Sequence, residues 1–233
     1  MEIWRDCWKV LVAPVEFAHQ QTRSRDQWTL PVAIVVVTSL VQGIFYLTLQ
    51  SHFTEPISAY LSRLEIDEDL LRSFDNFRVM GYLLNAAGGL VTIPFWLVSA
   101  GFMTACAVLF DGRENFRKVL ILNGYAHLPL LLYGVIALSG MLFWPPHVEI
   151  QNNGSTNVSE AASIIQAYHD DLFNTPFMRI NRVLSYAAQL WSLILLAVGA
   201  SVAQRISYFQ GAFAAAAYAF LLVGLSFGIG WFS

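Results

Sequence analysis

Apolar and polar positions along this chain fall into long blocks rather than short alternations. Five stretches carry no Asp, Glu, Lys or Arg: Trp28–Thr54, Val79–Phe110, Val119–Val148, Val183–Gln204 and Ile206–Ser233. A helix that crosses a bilayer needs about 20 mostly apolar residues at a rise of about 1.5 Å each. A helix on a soluble protein places charge on its outer face within two turns. The pattern therefore predicts an all-α fold: a polytopic membrane bundle of five transmembrane helices, over about 30–49, 81–110, 119–143, 184–203 and 208–231.

The segments between the runs have their own periodicity. Residues 1–27 form an N-terminal amphipathic arm, and residues 28–233 form the transmembrane domain. In the arm, Ile3, Trp4, Cys7, Trp8, Leu11 and Val15 recur at helical spacing, and Pro14 ends or bends the helix. Two tryptophans on one face suit either the headgroup boundary or packing on the protein itself. Between the first two spans, Ile57, Leu61, Leu64, Leu71 and Phe74 predict two short amphipathic helices, broken near Ile66–Asp69. The second span is too long to stand upright, so tilt or a break at Gly88-Gly89 and Pro94 is expected. In the long connection after Pro145, Asn152–Ser155 reads as a turn and Ser159–Phe173 as a helix capped by Ser159. Asn153 and Asn157 match the short glycosylation pattern. The last two spans form a tight hairpin around Gln204–Ser207.

Composition sharpens the class and narrows the partners. Charged residues make up 12% of the chain, against roughly 25% in soluble domains. A net charge of −3 gives no case for nucleic acid, so the bilayer itself is the expected partner, with other membrane proteins or further copies of the chain. Cys7 and Cys106 provide neither a disulfide framework nor a metal set, and no cofactor is expected. No cleavable signal precedes the first span, which reads as retained. Arg5, Lys9, Arg23, Arg25, Arg113, Arg117, Lys118 and Arg205 fall on one side of the predicted topology. Arg63, Arg72, Arg78, Arg179 and Arg182 are spread over two long connections on the other. By the positive-inside bias, the N-terminus is cytoplasmic and the C-terminus outside.

No acidic or basic residue lies at the centre of a span, which argues against proton-coupled transport. The polar candidates are Asn85, Asn123, Tyr125, His127 and Gln189. Amides and hydroxyls in spans commonly bond across helices, so each has a structural reading beside a ligand-binding one. His127 stands out because it lies in Asn123-Gly124-Tyr125-Ala126-His127-Leu128-Pro129, where Pro129 frees the carbonyl of Tyr125. A lone His makes a poor metal site, and an enzyme acting on lipid would need His127 to meet a carboxylate such as Asp111. No nucleophile–base set or phosphate loop is present, so no catalytic residue is expected. Small residues four apart at Gly101/Ala105, Ala197/Ser201, Gly211/Ala215 and Gly224/Gly228 predict close helix packing.

Three elements in order resemble the Yip-domain family of Ypt/Rab-GTPase-interacting membrane proteins. They are the arm from Trp8 to Phe17 with Pro14, the stretch Phe116 to Pro129 containing Gly124-Tyr125-Ala126, and Leu190-Trp191-Ser192 before a small-residue hairpin. The resemblance implies five spans, a cytoplasmic N-terminus and a role in membrane organisation or trafficking. The chain lacks a long polar N-terminal region and an Asp-Leu-Tyr-Gly-Pro-like motif, so it looks like a bacterial, inner-membrane member without a Rab partner. The expected function is a non-enzymatic scaffold or binding partner. The alternative is a transporter, channel or lipid-moving protein with a polar site between broken helices.

Overall fold

The computed structural model describes residues 2–23, 27–63, 68–150 and 158–230. Every regular element among them is a helix: α1 (Glu2–Val12), α2 (Pro14–Arg23), α3 (Thr29–Leu61), α4 (Glu68–Leu109), α5 (Phe116–Ala126), α6 (Leu128–Phe143), α7 (Val158–Asn174), α8 (Pro176–Gln204) and α9 (Tyr208–Gly230). Thr29–Leu61, Arg72–Leu109, Phe116–Phe143 and Pro176–Gln204 are long and apolar enough to cross a bilayer. The fifth predicted span is α9, whose apolar side chains are described as far as Leu222. The fold is an all-α membrane bundle. The turn at Asn152–Ser155, both glycosylation patterns, the break near Ile66 and the Gly224/Gly228 pair lie outside the described residues or side chains.

Two compact units divide the chain. The first gathers Met1–Ser39, Val91–Tyr133 and Tyr186–Ser233; the second gathers Leu40–Leu90 and Gly134–Ser185. In the first, α1 and α2 meet at Pro14, which bends the arm as expected. The arm resolves the two readings of its tryptophans by using both faces. Val10, Phe17 and Ala18 are buried in a core with Trp96, Met103, Tyr125 and Leu195. Trp4 and Trp8 remain 80% and 59% exposed, a placement that suits the headgroup level. Burial and the neighbouring Asp6 push the Cys7 thiol pKa up, so it is held as the neutral thiol.

The second unit corrects one expectation. The polar segment after the first span does not form separate short helices: α3 runs on to Leu61, and α4 begins at Glu68. Thr48, Ser51 and Thr54 turn their hydroxyls back to helix carbonyls, at 2.8–2.9 Å, so their polarity does not interrupt α3. Pro56 has no N–H for the carbonyl of His52. That carbonyl instead accepts from the Tyr168 hydroxyl of α7, at 2.8 Å. Ile57, Tyr60, Leu61 and Tyr168 close a small core around this bond. Helix α4 likewise continues through Gly88-Gly89 and Pro94 without interruption. Helix α7 begins at Val158, which makes Ser159 an inner residue rather than the cap.

Candidate functional site

The predicted polar residues divide between the two units. Asn123, Tyr125, His127 and Gln189 belong to the first, and Asn85 belongs to the second.

In the first unit, α5 is held against α4 by side chains that bond to backbone. Trp96 Nε1 donates to the Leu120 carbonyl at 2.9 Å. In return, Asn123 Nδ2 donates to the Trp96 carbonyl at 3.0 Å and contacts Ser99 Oγ. Ser99 Oγ donates to the same Trp96 carbonyl at 3.0 Å. His127 Nδ1 lies 2.9 Å from the carbonyl of Asn123 in its own helix. Among the described residues, no ion pair joins His127 to Asp111 or any other carboxylate. The helix breaks between Ala126 and Leu128, where Pro129 removes a donor, so the predicted kink is present.

Gly124 and Tyr125 are packing residues in this arrangement. A Cβ at Gly124 would stand 2.6 Å from Cβ of Pro31 and 3.1 Å from its carbonyl oxygen, so α3 and α5 meet almost backbone to backbone. Tyr125 is buried and its ring meets Phe17 edge-on at a centroid distance of 4.8 Å. Its hydroxyl has no hydrogen-bond partner among the described residues. Gln189 sits on an exposed face of α8 beside Leu190, away from this cluster's core.

The second unit holds a different kind of polar contact. Asn85 Nδ2 donates to Gln50 Oε1 at 3.0 Å, a bond between two side-chain amides. Gly81 gives the Gln50 amide its room, since a Cβ there would stand 2.7 Å from Gln50 Nε2. A cavity of about 250 Å³ opens beside the pair, walled by Tyr46, Phe53, His169 and Phe173. His169 meets Phe53 edge-on at 5.5 Å and lies 4.5 Å from Phe173. This is a semipolar pocket with aromatic walls, suited to a small neutral polar group. Sequence reasoning found Asn85 but missed Gln50 and His169. The available signal was Gln50 at the polar end of the first apolar run.

A Yip1 domain family profile matches residues 8–231, nearly the whole chain. The chain belongs to the Yip1-domain family. A second similarity is to an uncharacterised protein of the archaeon Methanocaldococcus jannaschii, 31% identical over 61 residues. That match covers 26% of this chain and 41% of the archaeal protein. No solved structure matches significantly. Within this Yip1 domain, Asn123, Gly124 and Tyr125 are the residues that fasten α5 to α4, α3 and the arm.

Proposed function

We propose that this Yip1-domain membrane protein is a non-enzymatic scaffold that gathers other membrane components, through further copies of itself or through other membrane proteins. The observation that carries this reading is how the first unit uses its polarity. Asn123, Ser99 and Trp96 bond to backbone carbonyls in a core of apolar side chains, rather than facing a polar cavity. Exposed apolar faces are plentiful, including Leu97, Val98 and Val108 on α4, and such surfaces serve lipid and membrane partners alike. The charge bias supports a cytoplasmic N-terminus and an outside C-terminus in a cell membrane, the inner membrane for a bacterial protein.

The decisive experiment is the assembly state of purified protein in mild detergent, by native mass spectrometry with in-membrane crosslinking. A defined oligomer or a specific membrane partner is expected; a monomer that captures nothing overturns the reading. The cavity beside Gln50 and Asn85 favours a second reading, a binding protein or carrier for a small polar molecule. Solute flux in liposomes that falls on Gln50→Leu would support it, and flux unchanged by that substitution would end it.

A further inference from the structure

We infer that the turn between α8 and α9, with the arm, forms a binding cleft for the anionic phosphate headgroup of a membrane lipid. The cleft has a volume of about 400 Å³ and is lined by His19 of α2 and by Ser201, Val202, Arg205, Ile206, Ser207 and Tyr208. No carboxylate among the described residues lines it. Among the described residues, Arg205 and His19 are in no ion pair.

Arg205 is placed by the backbone rather than by a side-chain tether. It ends α8 with φ 58°, a left-handed position that glycine more often fills. The turn is pinned from the other side, because Arg113 N–H donates to the Gln204 carbonyl at 2.7 Å and Ile206 N–H to the Ser201 carbonyl at 3.2 Å. Two hydroxyls of the lining are already engaged: Ser201 Oγ donates to the Ala197 carbonyl, and Ser207 Oγ is 3.0 Å from Gln210 Oε1. The donors left for a ligand are the Arg205 guanidinium, the His19 imidazole and the Tyr208 hydroxyl. A guanidinium fork matches the oxygen spacing of a phosphate.

The surroundings select a lipid over a free phosphate. The cleft sits where two apolar helices end, and Phe209 and Phe213 stand 82% and 61% exposed along α9 from Tyr208 onward. That strip offers an acyl chain an apolar track beginning at the cationic end. Trp28, under the Arg117 guanidinium at 5.5 Å, and the exposed Trp4 and Trp8 belong to the same unit and mark a headgroup-level belt. Basic pockets at the ends of spans are a recurrent means of holding acidic lipids.

The test uses the full chain in mild detergent, titrated with phosphatidylglycerol or phosphatidylcholine of matched acyl chains and followed by native mass spectrometry. The wild type should retain phosphatidylglycerol preferentially. Arg205→Gln should weaken retention roughly fivefold, about what one arginine contributes near an anionic surface. Arg205→Lys should keep most of it, and Arg23→Gln, one turn beyond His19 and outside the lining, should change it far less than Arg205→Gln does. His19→Gln gives a smaller loss and decides the matter if Arg205→Gln does not fold. Millimolar glycerol 3-phosphate should leave lipid binding intact. Equal retention by wild type and both cleft variants overturns the inference. So does an equal loss in Arg23→Gln, which would mean diffuse charge, or displacement by glycerol 3-phosphate, which would mean a site for soluble phosphate.

Discussion

The two units use polar side chains in opposite ways. In the first, Asn123 and Trp96 address backbone carbonyls of the neighbouring helix, Ser99 addresses the carbonyl of Trp96 in its own helix, and glycines bring helices together. Gly124 faces Pro31; Gly199 faces Leu122, 3.1 Å from where a Cβ would stand; and Gly211 faces Ser201 and the carbonyl of Ala197. In the second, Gln50 bonds Asn85 and Thr54 lies 3.3 Å from the Tyr82 hydroxyl, so side chains meet side chains beside an open cavity. A carbonyl fixed in a helix cannot move away from its donor, whereas two amides can exchange each other for a guest. The first arrangement specifies a fold, and the second is where the proposed binding of a small polar molecule would take place.

The sharpest way to break this contrast is to add side chains at glycines. Gly124→Leu drives carbon into the Pro31 backbone. Overpacking of that kind costs typically ~1–3 kcal/mol, read as a lower thermal midpoint in detergent and less folded protein in the membrane. Gly88→Leu, with nothing within 4 Å of its added Cβ, should leave the midpoint unchanged. Gly81→Ala is an intermediate case, because the obstacle is the flexible end of Gln50. It should shift Gln50 and weaken the Asn85 bond at little cost in stability. Equal losses at positions 124 and 88 would mean that the close approach does not set the packing.

The amides give a smaller effect in the same direction. Asn123→Leu removes a buried donor from two partners, where interhelical bonds are worth about 0.6 kcal/mol on average and up to ~1.7. Asn85→Leu should cost less in stability, since the half-buried Asn85 faces one amide. It should instead abolish any ligand-dependent stabilisation of the second unit. If Asn85→Leu destabilises more than Asn123→Leu, the assignment of the two units to fold and recognition is reversed.

The bundle was legible in the sequence because its signal is local: charge-free runs of spanning length, and turns where charge returns. The kink at Pro129 and the bend at Pro14 were legible for the same reason, since proline acts on its own helix. The fate of the segment after residue 50 was not. Its polar residues read as the end of the span and the start of separate short amphipathic helices, yet Thr48, Ser51 and Thr54 satisfy themselves within α3. The proline that should end α3 is tolerated because a tyrosine from another helix takes up the freed carbonyl. For the candidate site, the sequence marked the polar residues in the spans. It could not separate Asn123, which holds the fold, from Asn85, which borders a cavity, because each is an amide in an apolar run. What distinguishes them is the partner's chemistry, a backbone carbonyl for one and the Gln50 amide for the other.

The bond that carries α3 past Pro56 supplies the last and smallest test. Tyr168→Phe leaves the His52 carbonyl without its donor, at a cost of about 1 kcal/mol for one hydrogen bond to stability. Burial raises the Tyr168 phenol above its ordinary value, which is ~10 in model peptides. The folded state then binds the phenolic proton more tightly than the unfolded state. This contribution is fully present below the ordinary tyrosine value and is lost as pH rises from there through the higher folded value. Alkaline unfolding of the second unit should therefore be steeper in the wild type than in Tyr168→Phe, whose stability is lower but flatter with pH across that window. Hydrogen exchange of the α3 amides near His52 reads the same event locally. Exchange that quickens in Tyr168→Phe only around residues 52–61 would tie the effect to this carbonyl, while uniform quickening along α3 would refute the proposed bridge.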